Sequence, residues 1–153
     1  MVENNLTDAM RELIADAVKD FRLSVKNGEP RAPQVLDFDL PPKRSGEKDD
    51  FPFVVVRADN GKIDRDNTDI EVFIIIGCYA EDFTANRDCL NVMSRIRNAL
   101  TMLPAGILAG KYVLQYPITW DLYAEQPLPY SQLNMKVKFA YNTPVPVFDD
   151  GGN

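Results

Sequence analysis

The segment "DRDNTD", residues 64–69, places Asp64, Asp66 and Thr68 at the first, third and fifth positions of a calcium-loop pattern. That chemistry also needs a glycine at the sixth position and a bidentate glutamate at the twelfth. Asp69 and Ile75 stand there instead, so the segment reads as a solvated hairpin loop. A second candidate is "IEVFIIIGCYAEDF", residues 70–83, a strand that runs through a glycine toward a helix. Phosphate-cradling turns need several glycines, or a Gly-Lys-Ser/Thr, at this junction. Gly77 stands alone, and Glu81 and Asp82 would repel a phosphate. Gly77 therefore reads as a residue that permits close packing, with Asp82 at the approach to a helix.

Reaction chemistry is scarce in the rest of the chain. There is no histidine, which removes the commonest general base and the commonest metal ligand. Cys78 and Cys89 lack zinc-site partners and read as reduced, buried thiols. Carboxylate catalysis through Asp82, Asp121 or Glu125 stays open. The adjacent pairs Glu81–Asp82 and Asp149–Asp150 do not make a two-carboxylate site, because neighbours in an extended segment point apart. The expectation is a non-enzyme with no cofactor and no metal.

Aromatic and basic residues could instead bind a partner. Trp120, Tyr116 and Tyr123 could stack on bases. However, Trp120 and Tyr116 alternate in phase with Leu114 and Ile118, which predicts core positions. Tyr123, Tyr130 and Tyr141 remain interface candidates. Lys43, Arg44 and Lys48 form the one local basic cluster, and Glu47, Asp49 and Asp50 largely cancel it. The net charge of −6 and pI near 4.6 make the chain a poor grip for phosphates, although DNA could slide past it. No apolar run approaches the ~20 residues of a membrane span, and the polar, acidic start is unlike an export signal, which predicts a cytoplasmic protein.

The elements that must position these residues follow from periodicity. The 153 residues predict one domain with its own core. Leu6, Met10, Leu13, Ile14, Ala17, Val18 and Phe21 recur at helical spacing and predict a helix over 5–23, with Asn5 as its N-cap. Residues 35–40 predict a short strand ended by Pro41 and Pro42, and "KRSGEKDD" a loop. The run 51–79 predicts two strands about a "DNG" turn at 59–61. Ile70, Val72, Ile74, Ile76 and Cys78 share one face of the second strand, and Phe73 and Ile75 the other. A second helix is predicted over 86–103, then strands over 111–125 and 132–142. Pro117 within the first of these marks an edge or a bulge. The tail 143–153 is predicted to be extended, then disordered. The order predicts an α+β fold: an antiparallel-rich β-sheet with two helices packed on one face. Leu13, Val18, Ile74, Met93, Ile96 and Trp120 are its expected core.

The segments "FPFVVVRADNG", "IEVFIIIGCYAEDF", "CLNVMSRIRNAL" and "YPITWDLYAEQPLPY" resemble small tail-terminator, or tail-completion, proteins in prophages of Gram-positive bacteria. The resemblance spans roughly residues 35–130 and rests on strand phasing and on the I-I-G-x-Y and E-Q-P-x-P-Y pieces. It implies a structural virion subunit at the head–tail junction, assembled in the host cytoplasm. Such a subunit forms a ring, commonly a hexamer, that caps the major tail tube protein, meets head connector proteins and lets DNA pass without specific binding. Candidate contact residues are Phe73 and Ile75 on the helix-free sheet face, Tyr123, Pro127, Pro129 and Tyr130 in the 123–132 hairpin, and Lys43, Arg44 and Lys48 in the loop. Another neck or connector protein of the same phage module, and a small non-phage adaptor, are the remaining alternatives.

Overall fold

The computed structural model describes residues 2–38, 50–123 and 128–142. Its elements are α1 (Val2–Val18), β1 (Leu23–Val25), β2 (Gly28–Arg31), β3 (Gln34–Asp37), β4 (Phe53–Ile63), β5 (Asn67–Tyr79), α2 (Ala85–Thr101), β6 (Ile107–Leu108), β7 (Tyr112–Leu122) and β8 (Tyr130–Asn142). The main sheet has six strands in the order β3-β4-β5-β8-β7-β6. The β3–β4 pair is parallel and the other pairs are antiparallel. The β1–β2 hairpin is separate. This is an α+β fold with a mostly antiparallel sheet, and both helices share one core with one of its faces.

That core follows from two periodicities. In α1, Leu6, Met10, Ile14 and Val18 recur every four residues and are all buried, so one stripe faces the sheet. In α2, Cys89, Val92, Met93, Ile96 and Leu100 do the same. On β5, Ile70, Val72, Ile74, Ile76 and Cys78 alternate into the core. Leu133, Met135, Val137 and Phe139 of β8 meet them through a register that pairs Ile74 with Met135. β8 thus lies inside the sheet, between β5 and β7, rather than at its edge.

Several sequence-level boundaries shift for physical reasons. The first helix starts at Val2, so Asn5 lies inside it, and it stops at Val18 rather than 23. Arg95 of α2 donates to the Ala17 carbonyl at 3.1 Å and lies over the Phe21 ring, satisfying an orphan acceptor of the helix end. Residues 23–31, expected to be helix end and loop, form the β1–β2 hairpin instead. Leu13 is half-buried beside the core stripe rather than within it. The "DNG" segment does not turn. β4 runs through it with a bulge between Ala58 and Asn60, and the chain reverses at Asp64–Asn67. A Cβ on Gly61 would lie 2.5 Å from the Asp69 carbonyl oxygen, so this glycine serves a close strand approach.

The most consequential correction concerns Trp120 and Tyr116. Trp120 does face the helix side, opposite Met135, yet it is 47% exposed, and Tyr116 is 68% exposed. α1 packs mainly over β3 and β4, and α2 over β5 and β8. A helix is about 10 Å wide and strands lie about 4.8 Å apart, so two helices cover about four strands. β7 beyond Gln115 lies outside that cover. Here Pro117 sits in a bulge, where the register skips from Gln115 to Thr119.

Candidate functional site

The glycine junction closes by packing. Phe53 pairs with Gly77 across β4 and β5, and a Cβ on Gly77 would lie 2.8 Å from a Phe51 ring carbon and closer still to the Phe53 ring. Phe51 packs edge-on against Phe53 with ring centroids 4.8 Å apart and tilted against Tyr130 at 4.7 Å, and Tyr130 lies tilted against Tyr79 at 5.2 Å. The glycine thus gives an aromatic cluster room on the helix-free face. Arg31 holds the chain entering this cluster by donating to the carbonyls of Ala32, Asp50, Phe51 and Pro52.

The carboxylates of the junction diverge in acidity. The Thr84 hydroxyl donates to Asp82 at 2.6 Å and holds its carboxyl below the usual range. Burial, and then the nearby Asp82 charge, pushes Asp88 up. An open polar cleft of about 520 Å³ beside the β1–β2 hairpin is lined by Glu81 and Asp82 but not by Asp88 or Asp121. Asp121 sits on β7 opposite Asn134, and Glu125 lies outside the described residues. Among the described residues no three His, Cys, Asp or Glu side chains group as a metal site would. Cys78 and Cys89 are free and buried. Hydrogen bonding with Cys89, together with burial, pushes the Cys78 thiol far up.

The prominent surface feature is the uncovered part of β7. Tyr116, Pro117, Ile118 and Trp120 form one wall of an open groove of about 580 Å³, and Met93, Arg97 and Thr101 of α2 form the other. The floor is apolar, and one guanidinium stands at its side. At the opposite end of α2, Phe83 is 63% exposed with φ of 63°, held by its N–H bond to the Ala80 carbonyl at 3.1 Å.

The expected contact residues fall into four groups. Phe73 and Ile75 do lie on the helix-free side, half-buried. Lys136 spans the Phe73 ring at 5.3 Å and reaches Glu71 at 3.5 Å, so that face is partly capped by charge. Tyr123 is exposed and accepts from Asn134 at 3.4 Å. Tyr130 is engaged in the aromatic cluster, and the Pro129 carbonyl accepts from Ala80. Lys43, Arg44, Lys48, Pro127 and the tail 143–153 lie outside the described residues. Sequence reasoning did not foresee the groove or the exposure of Phe83. Pro117 inside a strand was the available signal for the first, and an apolar residue directly after two acids for the second. No protein-family model matches the chain, and no curated protein matches it at a significant level.

Proposed function

We propose that this chain is a structural subunit that assembles as a ring on the end of a phage tail tube and joins it to the head connector, as its resemblance to tail-terminator proteins implies. The observation that carries the reading is the aromatic groove along β7 and α2. Exposed apolar side chains gathered along one groove, rather than scattered singly, are surface that a partner can cover. A ring needs two unlike patches on each subunit, one for each neighbour. The helix-free face near Phe73 and Ile75 and the exposed Tyr123 offer further surface for the tube or the connector. The net charge of −6 suits a lumen through which DNA passes without being held. The test is to mix the protein with polymerising major tail protein and image the ends. Rings at one tube end, with lengths that stop increasing, support the reading. Bare tubes that grow unchanged at saturating protein would remove it.

A further inference from the structure

We infer that Phe83 of one copy of this chain seats in the Tyr116–Trp120 groove of the next copy, head to tail. The inference rests on the self-assembly part of the reading above and not on the tube. Phe83 is a bulky residue at φ 63°, a conformation that side chains other than glycine rarely adopt. Such backbone strain persists only where the surrounding structure over-determines it. The turn that carries the ring is braced by hydrogen bonds on either side of Phe83. Thr84 donates twice to Asp82, through its N–H at 3.3 Å and its hydroxyl at 2.6 Å, and Tyr79 donates to Glu81 at 2.8 Å. An exposed aromatic ring on a braced turn thus stands beside two carboxylates, and Asp82 is kept ionised.

The groove offers apolar surface to the ring and a cation to the carboxylates. Tyr116, Pro117, Ile118 and Trp120 present an apolar floor open to an aromatic ring. Arg97 beside them makes no ion pair among the described residues, so it is available to Glu81 or Asp82 of the incoming copy. Knob and groove sit toward opposite ends of α2, separated by roughly 20 Å at 1.5 Å per residue. One copy can therefore donate at one end and accept at the other, the arrangement from which rings are built.

The test is sedimentation of the full chain over a concentration series, with Phe83→Gly and Tyr116→Glu variants alone and mixed. The native chain is expected to associate beyond dimer. Phe83→Gly should weaken association on the order of 10- to 100-fold, the scale of losing one buried aromatic. It should melt no lower than the native chain, because glycine accepts the positive φ. Tyr116→Glu should do the same from the groove side without loss of fold. Mixed together, the two variants should form a one-to-one pair that cannot extend, since one intact knob meets one intact groove. A native chain that stays monomeric to about 1 mM, or that stops at dimer, overturns the inference. So do variants that associate as the native chain does, and a mixture that gives no pair. A mixture that pairs while tubes remain bare would remove the tube reading and leave this contact standing.

Discussion

Replacing Gly77 by Ala tests whether the strand–helix junction is a packing device. The added Cβ would lie 2.8 Å from Phe51 Cε2 and closer to Phe53 Cε2 and Cζ. Carbon atoms rest at about 3.5–4.0 Å, so the rings must retreat by about 1 Å. Phe53 is 2% exposed and backed by Phe51, which is itself packed against Tyr130, so retreat means moving the cluster. Overpacking of this kind costs about 1–3 kcal/mol. The strand gains roughly 0.5–1 kcal/mol from replacing glycine, leaving a net loss centred a little above about 1 kcal/mol and reaching about 2.5 kcal/mol. In a domain of this size that lowers Tm by roughly 2–8 °C. Thermal melts of four proteins isolate the cause: native, Gly77→Ala, Phe53→Ala and the double variant. Phe53→Ala alone should cost about 3–5 kcal/mol by leaving a cavity. In its background the methyl added by Gly77→Ala enters vacated space, so the second substitution should become neutral or stabilising. A Gly77→Ala melt within about 1 °C of native would refute the reasoning, as would a strictly additive cycle.

Arg31→Lys keeps the charge but loses the fork that reaches four carbonyls, and should cost about 2–3 kcal/mol in urea unfolding. An unchanged urea midpoint would show that those bonds contribute nothing net. Asp88 titrates higher in the folded chain than in the unfolded one, chiefly through burial. The native state then holds the proton more tightly, so this group's contribution to stability falls as pH rises from its unfolded value through its folded value. Asp88→Asn should remove that fall, and native and variant Tm profiles that run parallel through the acidic range would count against the assignment.

The elements were legible where one period dominates. Leu6, Met10, Ile14 and Val18, the α2 stripe, and the alternation of Ile70 to Cys78 predicted both helices, the central strand and the shared core from local spacing alone. The α+β class followed from their order. Boundaries were less legible, because turn-forming residues were read by type. The "DNG" triplet was expected to reverse the chain, but its glycine serves the approach of the Asp69 carbonyl, a partner eight residues away.

The sequence by itself determined which side of β5 and of β7 a residue takes, and excluded a histidine-based site or a glycine-rich phosphate loop. Tertiary structure alone decided what covers each side. Trp120 and Leu114 are in phase on β7, yet Leu114 is buried and Trp120 is half in solvent. Alternation is a property of one strand, whereas burial depends on the width of the helices above the whole sheet. Two helices reach across about four strands, and β8 takes one of those places by inserting between β5 and β7. That insertion pushes the far half of β7 beyond α2, and so turns residues that pattern as core into the walls of a groove.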